Sequence, residues 1–217
     1  MDLSQTPNHE LMRQARKSLR GGWGTAILGS VIYWVLTGLI HNIPKVGWIG
    51  GLVLEGPLLL GYSGFFLSMS RKQDVKISQL FDGFTKFTQA FIAYILMAIF
   101  ILLWSLLLIV PGIIAMLSYS MTFFILHEEK EIEGLEAIRK SKSMMKGNRW
   151  KLFCLGCRFL GWFLLGILSF GIGFLWIMPY LQTSFAQFYD DVKKPGQGRD
   201  ALNVDLELNR ERSSFSC

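Results

Sequence analysis

The chain has 217 residues, 51% of them hydrophobic, and carries a formal net charge of +6. Its mean hydropathy is +0.36, and a soluble domain of this length would have to bury more apolar surface than one core holds. The apolar residues come in long blocks, several of which approach the roughly 20 residues that cross a bilayer as a helix. The composition therefore predicts an all-α membrane protein, in which the positive charge reflects orientation in the membrane and not nucleic-acid binding.

Residues 1–22 are polar and basic, and they contain no apolar segment of the kind that a secretory signal needs. Apolar residues recur at helical spacing from Leu11 to Leu19, with basic residues between them. This pattern predicts a cytoplasmic amphipathic helix. The first apolar block begins at Trp23, and we expect it to be a retained span.

A later apolar block, residues 90–126, is too long for a single span, because a helix rises about 1.5 Å per residue and the hydrocarbon core is about 30 Å thick. The block contains Pro111, which removes a backbone donor, and Gly112, which turns at little cost. A kinked helix here would give five crossings, and a hairpin would give six. With the hairpin, the loop clusters of lysine and arginine fall on one side and only Lys45 lies on the other. The positive-inside rule therefore favours six crossings.

The predicted fold is a six-span membrane domain, residues 23–189, made of three hairpins that are each preceded by a cytoplasmic amphipathic surface helix. The expected spans are residues 23–40, 49–69, 90–110, 113–127, 152–170 and 172–189. Each hairpin has one proline near or after its outer turn, Pro57, Pro111 or Pro179. The three units are either copies of one repeat or share only what any six-helix protein has. Both termini are expected in the cytoplasm, and the polar residues 190–217 are expected to be disordered.

The stretch before the third hairpin has glutamates first and basic residues after them, an order that suits the dipole of a helix. The basic end is expected at the inner leaflet, where it would contact anionic lipids. An ordinary positive-inside anchor would have the same composition, so both interpretations stay open. The basic residues concerned are Arg139, Lys140, Lys142, Lys146 and Arg149.

Two ionisable residues, Glu55 and Arg158, fall inside expected spans, where a charge is costly unless it is used. Glu55 directly precedes Gly56 and Pro57, and a carboxylate at a helix break is a feature of transporter sites. Alternatively, the second span begins after Pro57 and Glu55 lies at the outer interface. Arg158, about 10 Å into the fifth span, can extend its side chain back to the inner headgroups. A pair between Arg158 and Glu55 would have to bridge the centre of the bilayer.

The remaining chemistry-bearing residues predict no enzyme, metal or cofactor. Cys154 and Cys157 form a CxxC motif, but two ligands without a second pair do not make a zinc site, and the motif lacks the setting that activates a thiolate. The three histidines are scattered singly. No phosphate loop, nucleophile elbow or HExxH motif occurs.

Three segments of the chain are distinctive: EGPLLLGYSGFFLSMSRK, LLLIVPGIIAMLSYSMTFFIL and EAIRKSKSMMKGNRWKLF. They resemble the bacterial integral membrane family known as domain of unknown function 975. The resemblance extends from about Leu11 to Asp191. It implies a multi-pass protein of the bacterial cytoplasmic membrane, and it implies no activity, because the family has no established biochemistry.

Three functional hypotheses follow. The favoured one is a non-enzymatic accessory, scaffold or envelope-maintenance component that acts through lipids, a membrane-protein partner or a second copy of the chain. The alternative is a small permease for a lipophilic solute, with Glu55 and the helix break at Pro57 as its site. A membrane-embedded enzyme acting on lipid headgroups comes third, since the sequence contains no recognisable site for it.

Overall fold

The computed structural model describes residue 4 and residues 6–43, 47–129 and 131–193. Of these residues 84% are helical and none lies in a strand, which confirms the prediction of an all-α protein. Nine α-helices and one 3-10 helix, Ile77–Lys86, follow one another along this part of the chain. The α-helices are α1 (Asn8–Leu19), α2 (Trp23–His41), α3 (Gly47–Ser70), α4 (Phe87–Leu107), α5 (Ile109–Tyr119), α6 (Thr122–Glu128), α7 (Gly134–Met144), α8 (Arg149–Leu168) and α9 (Phe174–Lys193).

Two predictions concern residues that lie wholly or partly outside the described ranges. Lys45, the base expected on the outer side, lies outside the described residues, and so do residues 194–217 of the expected tail. Residues 190–193 are described, and they continue α9 to Lys193. This helix therefore extends past the end of the span expected at residues 172–189.

Five helical stretches in the described part of the chain are long and apolar enough to cross a membrane. They are Trp23–His41, Ile49–Ser70, Ile77–Leu107, Ile109–Glu128 and Arg149–Leu168. The fourth was expected to be short, at residues 113–127, but α5 and α6 together make it 20 residues long. The sixth expected span, in α9, is not among the five by length and composition, because polar residues fill the second half of that helix.

The chain reverses direction between α4 and α5. The break falls at Leu108, whose backbone is extended (φ −163°, ψ 146°), three residues before the predicted turn. Pro111 lies in the first turn of α5, where a missing N–H costs little because that turn has no intrahelical acceptors. The ring centroids of Phe100 and Tyr119 are 6.1 Å apart, so α5 returns alongside α4. The long apolar block is therefore a hairpin and not one kinked helix.

The other two predicted helix breaks lie inside continuous helices. α3 begins at Gly47 and continues through Pro57, so the alternative in which this helix begins after Pro57 is wrong. The 3-10 helix supports α3 at this point, since a Cβ on Gly83 would overlap the carbonyl oxygen of Pro57. Pro179 lies inside α9, where the Thr183 hydroxyl donates to the Pro179 carbonyl at 2.7 Å.

One end of the bundle, here called the base, gathers the ends of α1, α3, α6 and α9. The Arg71 guanidinium just after α3 donates to Asp190 of α9 at 2.6 Å and to Glu128 of α6 at 3.1 Å. The Ser18 hydroxyl of α1 donates to the Ser70 carbonyl of α3 at 2.9 Å. These contacts hold the ends of α1, α3, α6 and α9 together at the base.

The main apolar core lies beside the base. Among its fully buried side chains are Leu11, Leu19, Phe65, Phe66, Met121, Ile125, Phe159, Phe188 and Tyr189. Helix α1 takes part in this core, because Leu11, Ala15 and Leu19 have no exposed area. The amphipathic helix predicted near the N-terminus thus packs its apolar face against protein, with the Tyr180 hydroxyl of α9 donating to the Met12 carbonyl at 3.2 Å.

The opposite end of the bundle is apolar and exposed. We call residues 102–110 and 160–172 the hairpin tips. Leu106 is 84% exposed, Leu168 78% and Phe170 98%. Side chains of this kind have no protein neighbours to cover them among the described residues, so a bilayer or another protein has to cover them.

Candidate functional site

Glu55, the acidic residue predicted inside the second span, lies on α3 and faces α2. Its side chain is half-buried, and Oε1 accepts a hydrogen bond from the Tyr33 hydroxyl at 2.9 Å. Tyr33 in turn stacks on Tyr62 of α3, with 4.2 Å between ring centroids. The carboxylate is therefore held by a phenol donor from the neighbouring helix.

Two further residues complete this group, which we call the Glu55 cluster. Ser30 of α2 is buried, and its hydroxyl lies 3.3 Å from the hydroxyl of Tyr62. Tyr94 of α4 packs against Gly56, next to Glu55. The Glu55 cluster comprises Ser30, Tyr33, Glu55, Tyr62 and Tyr94. Hydrogen bonds and ring stacking join α2 to α3 within it, and Tyr94 of α4 packs beside them.

The residues after Glu55 explain why α4 comes so close. A Cβ on Gly56 would overlap the Ala90 carbonyl oxygen of α4, so the absence of a side chain lets the two helices touch. Pro57 has no N–H to donate to the carbonyl of Val53 one turn earlier. The Gly-Pro pair beside Glu55 therefore lies where α3 and α4 approach each other closely through Gly56.

An apolar cavity of about 490 Å³ lies between α2 and α9. Trp34 and Val35 line one wall, and Phe174 and Met178 line the other. Ser30 belongs both to this lining and to the Glu55 cluster. The lining of this cavity is otherwise apolar.

Arg158 is not brought to Glu55. Its side chain is exposed on α8, and no ion pair joins it to Glu55, although both residues are described. Cys154 is half-buried and Cys157 is exposed, both as free thiols. Within the residues that the structure describes, no group of three or more His, Cys, Asp or Glu side chains is placed to hold a metal.

The predicted lipid contacts of α7 lie on its exposed face. Arg139, Lys140 and Lys142 of α7 are exposed, as is Lys146 in the turn that follows, and Lys140 is paired with Glu129. The opposite face of α7 is buried: the Ser141 hydroxyl donates to the Ser118 carbonyl of α5 at 2.8 Å. Ala137 and Ile138 are also buried on that face.

Arg149, the last of the predicted basic contacts, differs from the others. Its side chain is half-buried at the start of α8, and its Nε has no hydrogen-bond partner among the described residues. It is therefore less available to a lipid surface than the three bases of α7 and Lys146.

The sequence did not reveal an ionic network at the base. Arg71 binds Asp190 and Glu128, Glu128 also binds Lys193, and the Tyr189 hydroxyl donates to Glu128 at 2.6 Å. The hydrogen bond that Arg71 donates to Asp190 and the two nearby negative charges raise the pKa of Arg71, although its burial acts in the opposite direction. The partners are 57 and 119 residues from Arg71 in the sequence, and no local pattern links residues so far apart.

A second network fixes the N-terminal residues to the base. The hydroxyls of Ser4 and Thr6 both donate to the Asp191 carboxylate, and the ammonium of Lys151 lies 3.8 Å from it. Asp191 is 7% exposed. This network joins the segment before α1 to α8 and α9.

An all-helical bundle with polar networks at one end and exposed apolar helices at the other has the features of a multi-pass membrane protein. The chain belongs to the family described as "Protein of unknown function (DUF975)", whose model matches residues 1–118 and 106–195. This match confirms the resemblance found in the sequence. No curated protein and no solved structure matches the chain.

Proposed function

We propose that the protein crosses the bacterial cytoplasmic membrane six times, with the base in the cytoplasm, and serves as a non-enzymatic accessory or scaffold component. The exposure of the hairpin tips carries this proposal. Leu106, Ile109, Leu168 and Phe170 are each more than three-quarters exposed, which suits a lipid environment and not water. Embedding the tips in the bilayer removes this apolar area from water.

The distribution of basic residues supports the orientation. Those near the base belong to α1 and the turn after it, the loop after α3, the 3-10 helix, α7 and the turn after it, and the start of α8. They are Arg16, Lys17, Arg20, Arg71, Lys72, Lys76, Lys86, Arg139, Lys140, Lys142, Lys146, Arg149 and Lys151. A cytoplasmic base agrees with the positive-inside rule. The exposed bases of α7 would then meet the anionic lipids of the inner leaflet.

The path of α9 supports the sixth crossing. Phe174 of α9 lies 5.7 Å from Phe163 of α8, and Tyr180 lies 5.2 Å from Phe159, as ring-centroid distances. The apolar half of α9 therefore returns beside α8 toward the base. The polar half of α9 is in the base, where Asp190 and Asp191 are bonded.

Cysteine labelling tests this topology. In a background in which Cys154, Cys157 and Cys217 are replaced by serine, an Asn42→Cys variant, in the exposed polar turn after α2, should react with a membrane-impermeant maleimide on intact spheroplasts. A Ser143→Cys variant, on the exposed face of α7, should react only after the membrane is opened. Labelling of Ser143→Cys from outside would overturn the orientation.

Purification in native-membrane nanodiscs tests the accessory role. We expect a stoichiometric membrane-protein partner, or a second copy, that stays bound in the Glu55→Gln variant. A variant with Arg139, Lys142 and Lys146 all changed to glutamine shows whether the α7 face takes part. Recovery of the protein alone, with no partner and no second copy, would contradict the role.

A small permease for a lipophilic solute is the second candidate, and the Glu55 cluster is what favours it. Its carboxylate is bonded to Tyr33 and linked through Tyr62 to Ser30, which lines the apolar cavity between α2 and α9. This candidate predicts that Glu55→Gln abolishes transport by the reconstituted protein while insertion and stability remain. Transport unaffected by Glu55→Gln would exclude this site.

A further inference from the structure

A cleft of about 660 Å³ opens at the base, between the turn that joins α1 to α2 and the loop that follows α3. Three cationic side chains line it, Lys17, Arg20 and Lys72, together with a single carboxylate, Asp74. The excess of positive charge favours an anionic ligand. Neither the Glu55 cluster nor the exposed face of α7 contributes to this lining.

The walls of the cleft are held together by hydrogen bonds. The Ser18 hydroxyl and the Gln187 side-chain amide both donate to the Ser70 carbonyl, each at 2.9 Å. The Gln187 amide also donates to the Ser18 hydroxyl at 3.1 Å. These contacts fix α1, α3 and α9 relative to one another. The cleft lined by the three cationic side chains therefore has its shape before any ligand binds.

Lys72 occupies a backbone position that usually belongs to glycine. Its φ is +55°, and α3 ends with bonds from the Lys72 N–H to the Met69 carbonyl and from the Gln73 N–H to the Ser68 carbonyl. This is the Schellman arrangement, in which glycine avoids the strain of a left-handed residue. A lysine at this position is less stable than glycine would be, because its backbone is strained. Its side chain contributes a positive charge to the cleft.

The rest of the lining indicates which anion fits. The first turn of α2, which no side chain caps, contributes Gly22 and Thr25, and the start of a helix favours negative charge. Met69 and Val75 add an apolar part. A phosphate joined to a hydrocarbon body matches both parts, and the Asp74 carboxylate can accept a hydrogen bond from a headgroup hydroxyl.

We propose that this cleft binds the phosphate headgroup of an anionic inner-leaflet phospholipid of the phosphatidylglycerol kind, held by Lys17, Arg20 and Lys72. The inference rests on the proposed orientation, which puts the base at the cytoplasmic side of the membrane. Free phosphate shares the charge of the headgroup but lacks the hydrocarbon body, so the two sources can be separated by experiment.

Native mass spectrometry of the full chain in mild detergent tests this site, with dioctanoyl phosphatidylglycerol as the probe and dioctanoyl phosphatidylcholine as its neutral match. We expect one phosphatidylglycerol to bind preferentially, and Lys72→Gly and Arg20→Gln each to weaken it about fivefold. The matched control is Lys76→Gln, which removes an exposed charge from the same loop outside the lining. It should leave the affinity unchanged.

The Lys72→Gly variant distinguishes a loss of lipid binding from a loss of stability. Glycine suits the left-handed backbone, so this variant should unfold no more easily than the wild type. Equal weakening by Lys76→Gln would overturn the site in favour of diffuse charge attraction. Inorganic phosphate binding without any preference between the two lipids would also overturn it. Since detergent exposes both faces of the protein, the binding of phosphatidylglycerol is measured independently of orientation. A failed cysteine-labelling test would leave that binding standing but would overturn its assignment to the inner leaflet.

Discussion

The base and the hairpin tips lie at opposite ends of the bundle and are stabilised by different contacts. At the base, residues far apart in sequence meet through ions and hydroxyls, as Arg71 meets Asp190 and Thr6 meets Asp191. At the tips, Leu106 and Phe170 have most of their surface uncovered. The base therefore supplies the specific tertiary structure, and the tips supply the apolar surface that a membrane would cover.

The first prediction concerns close backbone contact beside the base. Gly61→Ala places a Cβ where the Leu80 carbonyl of the 3-10 helix lies, and overpacking of this kind costs about 1–3 kcal/mol. The free energy of unfolding in bicelles should fall by that amount. The matched control is Gly161→Ala near the tips, where an added Cβ meets nothing within 4 Å.

Gly161→Ala should leave stability unchanged or raise it by up to about 1 kcal/mol, because alanine is the better helix former. Equal losses in the two variants would mean that the tips are as closely packed as the base. That result would show that the base and the tips do not differ in packing.

The second prediction concerns the ionic network. Arg71→Gln leaves Glu128 and Asp190 without their shared guanidinium, and we expect a loss of about 1–2 kcal/mol, measured by the same unfolding assay. Lys142→Gln, an exposed base of α7, should change stability by less than about 0.5 kcal/mol. If the two substitutions have the same effect, the base is held by apolar packing alone.

Sequence reasoning was accurate for features that repeat locally. Apolar block length and basic loops predicted the all-α class and the reversal between α4 and α5, and three distinctive segments indicated the family. The turn was placed at Pro111 instead of Leu108, because proline suits the first turn of a helix as well as a loop. The amphipathic pattern of α1 predicted a helix, but periodicity does not say whether its apolar face meets lipid or protein.

Only part of the candidate site could be predicted from the sequence. Glu55 stood out because carboxylates are rare in apolar helices, and the Gly-Pro pair beside it marked an unusual position. Its partner Tyr33 did not stand out, since a tyrosine in an apolar helix is ordinary. The base networks were not predicted at all, because each depends on residues that only the folded chain brings together.

The third prediction has a smaller effect and tests the Glu55 cluster as a structural element. Tyr33→Phe removes the hydroxyl that donates to Glu55, and hydrogen bonds within membrane proteins contribute about 0.6 kcal/mol on average. Tyr94→Phe is the control, because it changes a phenol of the same cluster that does not donate to the carboxylate in the described structure. A loss well above 2 kcal/mol for Tyr33→Phe would mean that the carboxylate is more deeply desolvated than its half-buried state indicates.

The smallest predicted effect is at the tips. Leu106 is 84% exposed, whereas Leu60 in the core is 1% exposed, so the same leucine-to-alanine change samples both environments. Leu60→Ala should cost about 2–5 kcal/mol through the cavity that it leaves. Leu106→Ala should change the free energy of unfolding by less than about 0.5 kcal/mol, because the contacts that it loses are with lipid or detergent. If Leu106→Ala instead destabilised the protein or split a larger assembly, Leu106 would be buried against a second chain, and the tips would be an interface between proteins as well as a membrane anchor.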